Sequence, residues 1–235
     1  MTPAQIASLI RSYTRTNSSS FTDAEILELA NPFKDEIASE ISQANEDYFV
    51  RTFLANLRAG QREYSIPNNV MNNLKYVEAK LDGTKQQRLD EFDLNTYRQA
   101  TDETTILAQF AGRKPAMDLS GGSIFIYSDS AIIDVTDGLI AAAVIFPDDI
   151  ADLTSTTEMS IDPTAYSCGF PRQFHELLAR RVSIAWKSAR PKPIPLSEKE
   201  QMYEIDLTRK IEALKGLNLD RTLVATMPSD DGQDY

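Results

Sequence analysis

The chain has 235 residues, of which 42% are hydrophobic and 25% charged, a composition typical of folded globular proteins. Its 35 acidic and 24 basic residues give a net charge of −11, which argues against a general nucleic-acid-binding role. One cysteine and one histidine exclude an intramolecular disulfide and a four-ligand zinc site made by this chain alone. The longest strongly apolar run, residues 138–147, is too short to cross a membrane, and the start lacks a signal-peptide pattern. We therefore expect a soluble protein.

The N-terminal segment has the pattern of three helices. Thr2 and Thr22 each stand three residues before a Gln or Glu, an arrangement that begins a helix. Asn31-Pro32 opens a third helix, whose apolar residues recur at three- and four-residue spacing until Gly60 supplies a natural stop. Residues 1–60 are thus predicted to be the N-terminal helices of a bundle.

The next segment has the pattern of strands, because its apolar period shortens and turn residues become frequent. Residues 61–147 are predicted to form a β-rich insert, with hairpin signals at Asp82-Gly83 and Asp137-Gly138. Residues 139–146 are apolar on both faces, as in an inner strand of a sheet, although a buried helix has the same pattern.

Helices return in the C-terminal part of the chain. Residues 148–170 are predicted to form an acidic connecting loop, residues 171–216 the C-terminal helices, and residues 217–235 a tail that orders only against a partner. Prolines stiffen residues 191–195 between the two predicted C-terminal helices. The expected fold class is α+β, a helical bundle of N- and C-terminal helices with an inserted antiparallel β domain.

Residues suited to catalysis are few. His175 has no Ser or Asp at helical spacing before it, so a packing or interface role is expected. Cys168 has no close cation to lower its thiol pKa, so a structural role is expected there too. Asp148, Asp149 and Asp152 form the densest carboxylate group, but their spacing fits no metal-binding motif.

One alternative from a different class is a metal-dependent hydrolase. Glu78-Ala79-Lys80 resembles half of a nuclease metal site, but Asn68 and Asn69 stand where the other half needs an aspartate. The chain also lacks a phosphate-binding loop, a dinucleotide fingerprint and a nucleophile elbow. We therefore expect no enzyme activity and no cofactor.

Charge is distributed unevenly along the sequence. Residues 115–171 contain no Lys or Arg and carry nine acids: Asp118, Asp129, Asp134, Asp137, Asp148, Asp149, Asp152, Glu158 and Asp162. Residues 172–192 carry six basic residues against one acid, a net +5: Arg172, Arg180, Arg181, Lys187, Arg190 and Lys192 against Glu176. Such regions favour head-to-tail contact between copies, or they neutralise each other within one subunit.

Four segments, in this order, resemble head-to-tail adaptor (connector) proteins of tailed bacteriophages: Phe21–Ile26, Arg62–Val70, Leu74–Gly83 and Phe170–Leu178. The resemblance covers roughly residues 20–190. It implies a noncatalytic virion protein at the head-tail junction, assembled in the cytoplasm of a bacterial host. Its implied partners are the portal protein, tail or neck proteins, and further copies of itself in a ring, expected to be a dodecamer. DNA would pass through the channel without specific binding, and no membrane is involved.

The resemblance also gives roles to three groups of residues. The acidic group Asp148, Asp149 and Asp152 would line the channel or face a partner. The basic helix would contact a neighbouring copy or an acidic rim of the portal through Arg172, Arg180, Arg181, Lys187 and Arg190. The C-terminal tail would order on the portal through Leu219, Leu223, Val224 and Met227.

The β insert is larger than a minimal adaptor needs. We therefore retain, as an alternative, a contact of the insert with the tail nozzle, fibres or capsid. The alternative within the same class is another neck or tail component, such as a stopper, a tail-completion protein or a tail-tube protein.

Overall fold

A computed structural model describes residues 1–92, 102–120, 122–161, 168–192 and 194–224 of the chain. The helices are α1 (Pro3–Thr14), α2 (Asp23–Ala44), α3 (Glu103–Phe110), α4 (His175–Ser188), α5 (Glu198–Gln201) and α6 (Tyr203–Val224), with a 3₁₀ turn at Arg172–Phe174. The strands are β1 (Val50–Leu57), β2 (Glu63–Ser65), β3 (Val70–Ala79), β4 (Gln87–Arg88), β5 (Asp90–Glu91), β6 (Ala116–Ser120), β7 (Ser123–Tyr127) and β8 (Val135–Ile145). The fold class is α+β, as predicted.

The chain divides into two compact units. The helical unit consists of the described residues of 1–48, 147–161 and 168–224, and it contains α1, α2 and α4 to α6. The β unit consists of the described residues of 49–146, and it contains all eight described strands and α3. The first boundary therefore lies at residue 48, and the prediction that it lies at residue 60 is wrong.

Helix α4 is central to the helical unit, because α1 and α2 both pack against it. Helix α2 also packs against α6. The two predicted N-terminal capping boxes are present, with the Thr2 and Thr22 hydroxyls accepting backbone hydrogen bonds from Gln5 and Glu25. The core between these helices is apolar and includes Ile6, Ile10, Ile26, Ile37, Ile41, Leu178 and Val182.

Helix α2 differs from the sequence prediction in its length and its end. It runs through Pro32 without a break, although a break was predicted at Asn31-Pro32. Asn31 does not cap a helix, because its side chain bonds the backbone of Ile150. The helix ends at Ala44, and Asn45 then takes an extended conformation. Residues 50–57, predicted to continue the helix, form β1 and pair with β8 instead. Their spacing of apolar residues fits a strand as well as a helix.

The β unit contains two four-stranded sheets, with strand orders β1-β8-β3-β4 and β2-β7-β6-β5. Strand β8 pairs with β1 on one side and β3 on the other, which confirms the prediction of an inner strand. The pairs are antiparallel except β5 with β6, which is parallel. The core of the unit is apolar and includes Leu57, Val77, Ile124, Ile126 and Leu139.

The two Asp-Gly pairs of the β unit have different structures. Gly83 has a φ of +78° in the connection between β3 and β4, which pair antiparallel, so a hairpin is present as predicted. Its connection is residues 80–86 rather than the predicted two residues, because the pairing begins at Ala79 and Gln87. Asp137-Gly138 lies inside β8, so the hairpin predicted there is wrong. Asp137 has a φ of +48°, and the pairing with β1 shifts register at this point, as at a bulge. A Cβ at Gly138 would lie 2.8 Å from Cγ of Leu57, so the close approach of β1 requires glycine.

Candidate functional site

The acidic segment 147–152 is held by a lysine that the sequence analysis did not select. Lys34 of α2 is fully buried. Its Nζ donates to the carbonyl oxygens of Pro147 (2.6 Å) and Asp148 (3.0 Å) and to Oδ1 of Asp149 (2.8 Å). Lys34 falls on the apolar stripe of α2, four residues after Ala30 and three before Ile37. A lysine at a position that faces the core indicates a buried polar partner, and this pattern could have identified Lys34 from the sequence.

Asn31, almost one helical turn before Lys34, makes a second attachment to the same segment. Its Oδ1 accepts a hydrogen bond from the backbone nitrogen of Ile150 at 2.8 Å, and its Nδ2 donates to the Ile150 carbonyl at 3.2 Å. Two neighbouring side chains of α2 thus fix the backbone of residues 147–150, where the chain returns from the β unit to the helical unit.

Beside this segment is a cleft of about 360 Å³, referred to below as the acidic cleft. Its walls are mostly apolar, with four acidic residues, Asp148, Asp149, Asp152 and Glu158. Asp149 and Asp152 are exposed. Hydrogen bonds from the side chain and backbone of Thr154 lower the pKa of Asp152, so this carboxyl carries a negative charge at neutral pH.

The acidic residues of the sequence run do not all belong to one unit. Asp118, Asp129, Asp134 and Asp137 lie in the β unit, whereas the four acids of the cleft lie in the helical unit. Asp162 lies outside the described residues. Glu78, the half-site of the hydrolase alternative, lies in β3 opposite Arg88 of β4. Within the described ranges, no group of three or more His, Cys, Asp or Glu side chains is placed to hold a metal ion.

Two of the five residues assigned to the basic interface helix are buried and paired inside the helical unit. Arg180 donates from Nη2 to Glu176 (2.7 Å) and from Nη1 to Asp206 of α6 (2.6 Å). Burial lowers the pKa of Arg180, but these hydrogen bonds outweigh burial and raise it. Lys187 donates to Oε2 of Glu200 at 2.6 Å, and both side chains are almost fully buried. The prediction that Arg180 and Lys187 contact a neighbouring copy is therefore wrong, because their charges are satisfied within one subunit.

Glu200 joins α4 to the start of α5. One carboxylate oxygen accepts from the Ser183 hydroxyl at 2.6 Å. The other accepts from Lys187 and from the backbone nitrogen and hydroxyl of Ser197. Burial raises the pKa of Glu200, but the hydrogen bonds from Lys187, Ser183 and Ser197 together lower it below its ordinary value. The predicted capping box at Ser197 is present, and its glutamate also closes a buried ion pair.

The other three residues assigned to the basic interface helix differ in exposure. Arg181 is half-buried, lies 3.2 Å from Glu36 of α2 and stacks over the Phe33 ring at 4.5 Å. Arg190 is exposed, with its guanidinium 3.9 Å from the centre of the Trp186 ring. Arg172 is exposed in the 3₁₀ turn. The surface cations of this region are thus at the two ends of α4 rather than along it.

His175 is fully buried at the start of α4. Its Nε2 lies 2.8 Å from the Phe170 carbonyl oxygen, and its Nδ1 lies 2.8 Å from the Met1 nitrogen. Since a carbonyl can only accept, Nε2 carries the proton. Burial lowers the pKa of His175, which keeps the ring neutral at pH 7. The expected packing role is confirmed, and Cys168 is likewise buried, in the wall of the acidic cleft.

The residues assigned to the tail begin inside a helix. Helix α6 continues to Val224, so the predicted end at Gly216 is wrong. Leu219, Leu223 and Val224 lie in its last two turns, and Met227 lies outside the described residues.

In the part of the chain that the structure describes, no helix combines the length and apolarity needed to cross a membrane. No protein-family model matches the sequence, and no curated protein matches it significantly. Any assignment of function therefore rests on the residues and geometry of this chain.

Proposed function

We propose that the chain is a noncatalytic virion protein, a head-to-tail adaptor that forms a ring beneath the portal of a tailed bacteriophage. In this role it extends the DNA channel and gives the tail its docking surface. The observation that carries the proposal is the order of segments resembling the adaptor family. All four contain described elements: the start of α2, strand β2, strand β3 and the start of α4.

The charge of the chain fits this role. Duplex DNA carries one negative charge about every 1.7 Å of its axis, so an acidic wall repels it and allows it to slide. The net charge of −11 makes the surface of the subunit acidic overall, as this role requires. Two of the buried cations, Arg180 and Lys187, are paired with carboxylates inside the subunit, an arrangement suited to support rather than to binding a polyanion.

The β unit supports a second candidate in the same class. Its two four-stranded sheets are more than a minimal adaptor needs. A stopper, a tail-completion protein or a tail-tube protein would use such sheets to contact other tail proteins. The two candidates differ in the first partner, which is the portal for an adaptor and the tail for the others.

Mass photometry of the full chain, alone and mixed with portal rings from the same genome, tests the proposal. We expect a portal-dependent mass gain equal to a full ring of subunits, with a response to salt that reports the electrostatic contribution. Binding to purified tails but not to portals would replace the adaptor with the second candidate. Binding to neither would overturn both.

A pair of truncations assigns the portal contact. Deletion of residues 217–235 removes the end of α6 and all four assigned apolar residues, and we expect it to abolish the mass gain. Deletion of residues 228–235 spares those four residues, and we expect it to leave the gain intact. Equal binding by both truncated chains would show that the portal contact lies elsewhere.

A further inference from the structure

The acidic cleft has the form of a docking site for an apolar side chain. Pro3, Ile150, Met159 and Phe170 contribute apolar walls, and the volume of about 360 Å³ lies within the ~300–1,000 Å³ range of binding clefts. Among the described residues that line it, four are acidic and none is basic. Lys34 offsets one of these charges from behind, through Asp149. The remaining charge favours an occupant that is apolar at its tip and basic on its flanks.

The same helical unit displays a segment of that kind. The proline strap, residues 190–192 and 194–196, connects α4 to α5 and carries two cations and no acid. Arg190 and Lys192 are exposed, and Ile194 is 40% exposed. Proline restricts the backbone, so a proline-rich segment has little conformational entropy to lose when it docks. An exposed isoleucine beside two cations matches an apolar cleft with an acidic rim.

The strap and the cleft lie at opposite ends of α1. Pro3, the first residue of α1, lines the cleft. Ile194 and Leu196 lie beside Thr14 and Arg15, at the last turn of α1. A helix of 12 residues spans about 18 Å, so the strap of one chain does not reach its own cleft. The complementary surfaces can meet only between two copies.

We propose that the proline strap of one copy docks in the acidic cleft of the next, with Ile194 inside the cleft and Lys192 facing its carboxylates. The contact joins two different surfaces, so it is heterologous and generates a ring when the rotation between copies closes. The proposal rests on the proposed ring-forming function and identifies the surfaces that build the ring. In this contact the cations belong to the strap and lie at the surface, whereas Arg180 and Lys187 of α4 are buried and take no part in it.

Disulfide trapping tests the contact directly. Ala151 is exposed and lines the cleft, and Lys192 is exposed in the strap. In a Cys168→Ala background, the variants Ala151→Cys and Lys192→Cys are oxidised mildly, separately and mixed, both alone at high protein concentration and with portal rings. We expect a cross-linked dimer in the mixture, and a ladder of oligomers from a chain carrying both substitutions. Absence of a mixture-specific cross-link in both conditions would overturn the proposal.

A matched pair of isoleucines separates docking from general surface effects. Ile194→Glu puts a negative charge into the acidic cleft and removes the apolar anchor, so we expect trapping to slow by roughly tenfold or more. Ile205 of α6 is 45% exposed and belongs to neither surface, so we expect no change from Ile205→Glu. The fluorescence of Trp186, the single tryptophan, checks that both variants are folded. Equal trapping by the two variants would contradict the assigned anchor.

Charge reversal gives a rescue experiment. Lys192→Glu, assayed by association of copies at low salt, is expected to weaken the contact roughly fivefold, and Asp152→Lys on the facing copy is expected to restore it. Failure of the strap contact and failure of the proposed function are distinguishable. Rings that join portals without the 151–192 cross-link would refute only the strap contact. Copies that form the cross-link but do not bind portal rings would refute only the adaptor role.

Discussion

The helical unit and the β unit are held together by different kinds of contact. The helical unit is built from chain segments on both sides of the β unit, and buried charged side chains connect its elements. Lys34 joins α2 to residues 147–149, Arg180 joins α4 to α6, and Lys187 joins α4 to α5. The described part of the β unit is one stretch of chain with an apolar core, and its buried cation is Arg62.

This difference follows from what each unit must specify. Apolar burial is strong but not directional, and it suffices where strands follow each other closely and pair by register. An ion pair or a charged hydrogen bond has a defined geometry, so it can select how distant segments meet. Buried pairs are costly to desolvate, and removing one partner leaves the other uncompensated. The helical unit should therefore be more sensitive than the β unit to the loss of one charge.

The largest effect is expected from Glu200→Ala. The change leaves the buried ammonium of Lys187 uncompensated and removes the acceptor of Ser183 and Ser197, so we expect a loss of about 3–5 kcal/mol in the free energy of unfolding. Urea unfolding followed by Trp186 fluorescence measures it. Glu198→Ala, an exposed position in the first turn of the same helix, should change stability by less than about 1 kcal/mol. Similar losses from both variants would contradict a special role for the buried pair.

A second large effect is expected from Lys34→Met. Methionine fills a similar volume but leaves the carbonyls of Pro147 and Asp148 without their donor, at a cost of about 2–4 kcal/mol. Hydrogen exchange should also quicken at the Ile150 amide, which Asn31 holds from the same helix. Lys215→Met removes an exposed ammonium from α6 and serves as the control. Unchanged exchange at residue 150 would show that Asn31 alone fixes the segment.

The β unit should respond less to the loss of its buried cation. Arg62 donates to both carboxylate oxygens of Glu103, at 2.6 and 2.7 Å, and this hydrogen bonding lowers the pKa of Glu103. The Glu103 side chain is 41% exposed, so water can solvate it after Arg62→Met. The Ile126 carbonyl and the Ser128 hydroxyl also lose a donor, and they account for most of the expected cost. We expect a loss of about 1.5–3 kcal/mol, with faster hydrogen exchange in α3. Arg58→Met, which removes an exposed cation, is the control. A loss of stability as large as that from Glu200→Ala would contradict the expected difference between the two units.

The contrast also explains which features the sequence predicted. Capping boxes at Thr2, Thr22 and Ser197 were predictable, because the partners of each lie three residues apart. The α+β class followed from periodicity. The run apolar on both faces indicated the inner strand β8, but the same pattern also fitted a buried helix.

Features that depend on distant partners were not predictable in this way. Asn31 has the sequence pattern of a helix cap, but its side chain bonds the backbone of Ile150 instead. Asp137-Gly138 has the sequence pattern of a hairpin turn, but β8 continues through it and pairs with β1. The uneven charge of the sequence predicts either contact between copies or neutralisation between the acidic run 115–171 and the basic run 172–192. Arg180 and Lys187 instead pair with Glu176, Asp206 and Glu200, which lie outside that acidic run. Each of these outcomes depends on residues that are distant in the sequence or that belong to a different helix.

The smallest effect concerns pH and His175. Burial lowers the pKa of the folded-state ring, whereas in the unfolded chain the ring titrates near the ordinary value of about 6.5. As the pH falls below about 6.5, the unfolded state binds a proton that the folded state does not, so stability decreases toward the lower folded pKa. Asp35 and Glu40 have pKa values raised by burial, and they oppose this slope.

Urea unfolding at about pH 7 and about pH 5.5 measures the slope, and His175→Gln is the informative variant. Glutamine retains a donor for the Phe170 carbonyl but does not titrate, so the loss of stability on acidification should shrink or reverse. His175 is the single histidine of the chain, so no other imidazole contributes. An unchanged slope in His175→Gln would mean that carboxylates control the acid response of the helical unit. That unit would then depend on the protonation of its ion pairs alone, which include the buried pair at Glu200.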